Sequence, residues 1–159
     1  MEEQLSEVLD NLLGMLLLEG SYEIEDAKDS FVVSIDTKDA GRLIGARGES
    51  LEGLQLLVNQ IMSRKAGEGD FKRVMLDVAG WRKQKEAELK SMAEQLGKQV
   101  LETGKEVELE PMSAWQRRVV HLALEDLGGL SSESLGEGRD RHIVIKVKTE
   151  QPDAKPEKS

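Results

Sequence analysis

Two short stretches carry residue types and spacings suited to chemistry. The first is Gly45-Ala46-Arg47-Gly48. Two glycines three apart let a backbone turn approach a phosphate with no Cβ in the way. A helix starting just beyond would aim its unpaired N–H groups and positive dipole end at the same place. Arg42 and Arg47 add cationic contacts. Alone, G-x-x-G only turns a chain between helices. Here Leu43-Ile44 precede it and a helix start follows, which is the context a phosphate-binding turn needs. A mononucleotide P-loop does not fit, because Gly-Lys-Ser/Thr is absent. A dinucleotide fingerprint fails too: Gly41, Gly45 and Gly48 have the wrong spacing and do not directly follow a strand.

The second stretch holds Arg117 and His121. A spacing of four puts them on one helix face. Arg118 and Glu125 stay near that face, with Trp115, Val119 and Leu122 on one flank and Val120, Leu124 and Leu127 on the other. Such a stripe presents two cationic groups to solvent, although R-x-x-x-H by itself equally describes an ordinary solvated helix face. The chain has no cysteine, so disulfides, thiolate metal sites and cysteine nucleophiles are excluded. His121 and His142 are the two histidines, too far apart in sequence to suggest a zinc site. No matched acid–base set accompanies His121, so no catalytic residue, metal or cofactor is expected.

The elements that must position these residues follow from periodicity. A first helix over 3–18 carries Leu5, Leu9, Leu12 and Leu16 on one face. Tyr22 to Glu25 and Phe31 to Ile35 predict a hairpin. A short helix near Asp39 to Leu43 leads into the glycine turn. The next helix buries Leu51, Leu54, Val58 and Ile61, and Val74, Leu76 and Val78 mark a half-buried strand. The order is α-β-β-α-α-β. A long helix from Trp81 to Leu101 follows, with Leu89, Met92, Leu96 and Val100 as its buried stripe, and then a short strand at Val107 to Leu109. Ser113 and Gln116 form a capping-box pattern opening a helix that ends at Gly128-Gly129. Strands are expected at Ser132 to Leu135 and over Ile143, Ile145 and Val147. The domain boundary falls near Gly80, and residues 149–159 read as a disordered tail.

The chain has 159 residues, 31 acidic and 22 basic, and a formal net charge of −9. At first sight an acidic chain argues against nucleic acid. However, residues 1–40 hold eleven acids and two bases, which is the whole excess; the remainder is neutral, with a basic stretch at 41–65. The apolar run Leu12 to Leu18 is far short of the roughly 20 residues that span a bilayer. It is preceded by acids where an export signal needs positive charge. No membrane insertion is expected, and a cytoplasmic location is the default. With one Tyr, two Trp and two Phe, extensive base stacking is not available.

The stretch Gly41 to Gln55, with the α-β-β-α-α-β order, resembles a KH domain of the bacterial type II arrangement. The resemblance implies that Gly45, Ala46, Arg47 and Gly48 clamp the backbone of about four nucleotides of single strand. Ile44 and Leu54 would line or support a groove for the bases, with residues 66–70 as the variable loop. Relatives usually carry lysine where Ala46 stands, so one phosphate contact is missing here and the salt slope should be smaller by about one unit at most. Glu110 to Ser113, Gln116 to His121, Ser132 to Ser134 and Arg141 to Ile145 resemble an Arg-xxx-His domain of single-strand nucleic-acid-binding proteins. That implies Arg117 and His121 engage phosphates or bases, with Arg118, Arg139, Arg141 and Lys146 as neighbours.

The succession of the two resembles the bacterial Jag family (SpoIIIJ-associated proteins, also called KhpB or EloR) over about residues 5–148. Many relatives carry a further N-terminal Jag domain. This sequence opens almost at the KH module, so functions tied to that domain are not expected of it. The expectation is an α+β chain: 1–79 a type II KH domain, 80–148 a small α/β Arg-xxx-His domain. The expected function is non-catalytic binding of single-stranded RNA, or single-stranded DNA, regulatory in cell elongation, division or sporulation. The alternative is a protein-interaction adaptor, paired through its acidic, leucine-striped first helix with a small KH protein or a second copy.

Overall fold

A computed structural model describes residues 1–67 and 69–149. The tail expected from residue 149 onward lies, apart from Thr149, outside the described residues. Contacts divide the chain into two units, 1–84 and 85–159.

In the first unit the order is α1 (Glu2–Met15), β1 (Gly20–Asp26), β2 (Ser30–Thr37), α2 (Ala40–Ile44), α3 (Glu49–Ala66) and β3 (Arg73–Val78). This is the expected α-β-β-α-α-β. β1 pairs antiparallel with β2, and β2 pairs parallel with β3. A parallel pair cannot be closed by a tight turn, so α2 and α3 supply the crossover. The sheet's inner face is Phe31, Val33, Ile35, Val74, Leu76 and Val78, all buried against Leu5, Leu9, Leu51, Val58 and their neighbours.

Two departures from the sequence pattern have clear causes. In α3 the fourth buried residue is Met62, while Ile61 is only half-buried. At about 100° per residue Met62 returns to within roughly 20° of Leu51, whereas Ile61 does not. α1 stops at Met15 because Leu17 takes φ 54 and the Leu18 N–H donates back to Leu13 O at 3.0 Å. That closure is normally made with glycine. The outer edge of β3 is closed by α3 side chains. Asn59 accepts from the Val74 N–H and donates to Val74 O, both at 2.8 Å, and Gln55 Oε1 accepts from the Leu76 N–H at 2.9 Å.

The second unit takes in α4 (Trp81–Thr103) from Lys85 onward, then β4 (Val107–Glu108), α5 (Ala114–Leu127), β5 (Leu130–Leu135) and β6 (His142–Val147). Its antiparallel sheet has the order β4-β6-β5, and both units mix helix and strand as an α+β chain should. The buried stripe of α4 is Leu89, Ala93, Gly97 and Val100, with Met92 and Leu96 half-buried. Small residues win because the neighbours come close: a Cβ on Gly97 would lie 2.8 Å from Leu130 Cδ1 and 3.0 Å from Leu124 Cδ2. In the central strand β6, Val144 is buried along with Ile143 and Ile145, while Val147, at the strand end, is exposed. The predicted alternation therefore holds only in part.

Gly97→Leu should overpack this seam and destabilise the second unit by about 1–3 kcal/mol. Gly53→Ala, in α3 with nothing near its missing Cβ, should stabilise by up to about 1 kcal/mol. Denaturant unfolding of both variants followed by circular dichroism checks the pair.

Candidate nucleic-acid interface

The loop between α2 and α3 is built on unusual backbone angles. Gly45 has φ 72 and ψ −177, Arg47 φ 56, and Gly48 φ 77. The first is open essentially to glycine alone, and the others lie in the left-handed region. Together they reverse the chain, so that α3 starts beside the end of α2. Ala46 and Arg47 are exposed at the tip, and Arg42 is exposed on α2. Ile44 is half-buried against the first core.

The glycines make room for the chain's own side chains as well as for tight turning. A Cβ on Gly45 would collide with Ser50 Oγ, and one on Gly48 with Trp81 Cη2. The Cβ directions therefore face the protein, which differs from the purpose argued from sequence. What remains for a phosphate is the exposed tip and the start of α3. Among the described residues no side chain caps α3, whose N-cap is Gly48; the Glu49 N–H is taken by Ala46 O, so the N–H groups just beyond it are what suit an anion. Glu49 and Glu52 occupy the same first turn and offset part of that positive end. Leu54 is buried and lines an apolar cavity of about 360 Å³ with Leu12, Leu16, Arg42, Leu43 and Leu57.

In the second unit α5 starts where Gln116 Oε1 accepts from the Ser113 N–H at 3.2 Å, the glutamine half of the expected capping box. Arg117, Arg118, His121 and Arg141 share an open groove of about 470 Å³ with Ser134 and Glu125. Three of these groups are anchored. Arg117 Nη1 donates to Met112 O at 2.7 Å, Arg141 Nε donates to Ser134 Oγ at 2.8 Å, and His121 Nδ1 shares a 2.5 Å hydrogen bond with Ser132 Oγ. Arg117 is half-buried, and burial together with Arg141 lowers its pKa. Burial also pushes the His121 imidazole below its usual range; Glu125 pulls it up and Arg117 pushes it further down.

Arg139 lies apart from the groove lining, in the turn Gly138–Asp140 before β6. Lys146 pairs with Glu106 and Glu133 at 3.9 and 3.6 Å. Sequence reasoning misses Ser132 and Ser134 as anchors. Their alternate positions on one strand, across from β6, are the signal that could have found them.

Two family models match the chain: KhpA/KhpB, KH domain, over residues 2–77, and the Arg-xxx-His domain over residues 87–147. The chain is 33% identical over 130 residues to the RNA-binding protein KhpB of Clostridium symbiosum, covering 82% of this chain and 58% of that one. It is 32% identical over 127 residues to the RNA-binding protein KhpB of Bacillus subtilis strain 168, covering 79% and 60%. It is 29% identical over 116 residues to the RNA-binding protein KhpB of Streptococcus pneumoniae serotype 2, covering 73% and 35%. The chain thus spans about three-fifths of the length of the first two of these relatives.

Unfolding returns His121 to its ordinary value near 6.5, so below that pH the unfolded chain takes up a proton that the folded one resists. Its contribution to stability is therefore full above pH 6.5 and falls as the pH drops through that value. Magnetic resonance titration should find His121 below 6.5, lower still in Glu125→Gln and higher in Arg117→Gln.

Proposed function

The chain belongs to the Jag/KhpB family, with a KH domain followed by an Arg-xxx-His domain, and from that membership we propose that it binds single-stranded RNA without catalysing a reaction on it. Residues 1–79 act as the KH module and 80–148 as the Arg-xxx-His module. In the first, Gly45, Ala46, Arg47 and Gly48 hold the sugar-phosphate backbone against the start of α3, with Arg42 adding charge and Ile44 packing beneath. In the second, Arg117, Arg118, His121 and Arg141 take a second stretch of strand, with Arg139 at its side. The observation that carries this reading is the left-handed G-x-x-G turn, which leaves Ala46 and Arg47 exposed at the uncapped start of a helix of 18 residues.

Phosphate contacts supply most of such affinity and little sequence information, so sequence preference is modest. Each module alone binds weakly; carrying both on one chain raises the effective concentration of the second contact. Nothing in these contacts selects ribose, so single-stranded DNA is a competing ligand. A cytoplasmic, regulatory role in elongation, division or sporulation rests on family resemblance.

A second reading is favoured by the apolar cavity beside α1. Met15, Leu16 and Leu57 line it with 72%, 43% and 43% exposure, and Leu17, next in the chain, is 83% exposed. Such a patch suits a protein partner, either a small KH protein or a second copy. Leu12 is only 8% exposed, so a charge there tests folding. Leu16→Asp tests the surface instead: light scattering should show loss of any dimer. A dimer that survives Leu16→Asp would exclude this face.

In a shift assay Ala46→Asp with Arg47→Asp should remove most binding to single-stranded RNA, and unchanged affinity would exclude the loop as the contact. Ala46→Lys should tighten binding and steepen the salt dependence by about 0.7 in slope, the value for one added phosphate contact on a single strand.

A further inference from the structure

Gly48 is buried although Ala46, Arg47 and Glu49 around it are exposed. The indole of Trp81 covers it. A Cβ at Gly48 would meet the far edge of that ring, colliding with Cη2 and lying 2.9 Å from Cζ3. Trp81 opens α4, lies within the first unit and packs half-buried on the first core.

The position of the ring is fixed from behind. After β3 the chain turns through Ala79 and Gly80, with φ 51 and 70, and the Ala79 N–H donates to Ile35 O at 3.0 Å. An alanine at such an angle costs of order 1 kcal/mol and persists only where the surroundings hold it. Arg82 supplies much of that hold. Its N–H donates to Asp77 Oδ1 at 3.0 Å, Nε to Leu76 O at 3.0 Å and Nη2 to Gln55 Oε1 at 3.1 Å. The first turn of α4 is thereby tied to β3 and α3, and Trp81 is held against the loop.

Resting on the RNA-binding reading of that loop, we propose that Trp81 is a positioning residue for the G-x-x-G turn. Its ring is the floor that keeps Gly48 left-handed and sets where the first N–H groups of α3 point. Trp81 touches no ligand itself. A turn held in its bound shape avoids the ordering cost that a loose one meets on binding.

The test uses Trp81→Phe in the full chain. Phenylalanine keeps an aromatic ring at the start of α4 but is too short to reach Gly48. Amide hydrogen exchange at residues 45–50 should accelerate about threefold or more, with protection in β2 and the body of α3 retained. Affinity for a single-stranded RNA oligonucleotide should fall about threefold to tenfold. That loss should vanish when Trp81→Phe is added to Ala46→Asp/Arg47→Asp, because both act through one loop. Gly48→Ala loosens the same contact from the other side and should show the same local exchange, which covers the case of a Phe variant that folds poorly.

In a Trp115→Phe background Trp81 is the one remaining indole, and its emission should change as RNA is added. Unchanged exchange at 45–50, or acceleration spread through β2 and α3, overturns the proposal. So does an equal affinity loss in the loop-disabled background. If the unaltered chain binds no RNA, the functional reading falls, and exchange at 45–50 alone decides the role of Trp81.

Discussion

Three of the four residues in the turn between α2 and α3 have positive φ: Gly45, Arg47 and Gly48. The first unit depends on that reversal. β2 and β3 run parallel, so the chain must leave one end of the sheet and return to the other, and two helices meeting at a sharp angle are the way it does so. Two of the three angles fall to glycine. The third falls to Arg47, at a cost of about 1 kcal/mol, which leaves its side chain at an exposed tip. The Cβ directions of the glycines are occupied by Ser50 and Trp81. One constraint thus closes the fold, exposes a cation and leaves the start of α3 uncapped.

The second unit reaches a similar result by other means. Arg117 and His121 sit on α5 and Arg141 just before β6, held by a carbonyl oxygen and two serine hydroxyls. Anchoring lowers the entropy lost when a strand is gripped. Half-burial lowers the pKa of both Arg117 and His121; Arg141 lowers Arg117 further, while Glu125 pulls His121 up and Arg117 pushes it down. Glu125 in the same groove and Glu49 and Glu52 at the start of α3 would work against an anion. On the proposed RNA-binding reading, these acids and the net charge of −9 concentrated in residues 1–40 point to modest affinity at each site.

Much of this was legible in the sequence because it rests on local periodicity and local turn chemistry. The α-β-β-α-α-β order, the hairpin, the Ser113–Gln116 helix start and the glycine turn were all readable within windows of a few residues. What was not legible depends on partners distant in sequence. Gly97 joins the buried stripe of α4 because Leu124 and Leu130 approach it. Val144 is buried because β6 is the central strand. The purpose of Gly48 depends on Trp81, 33 positions away, and the setting of His121 on Ser132. Arg117, Arg118, His121 and Arg141 could be named as neighbours from their spacing and family pattern, but the hydrogen bonds that hold them could not.

The central claim is that the G-x-x-G turn and the Arg117–His121 face are where a single strand of RNA meets this chain. Backbone amide shift mapping during titration with an unstructured RNA oligonucleotide tests it most directly. The largest shifts should fall at residues 45–50 and around 117–121, 132–134 and 141, with the acidic first helix and hairpin unmoved. Shifts confined to residues 2–37, or a loop at 45–50 that does not respond at saturating RNA, would contradict it.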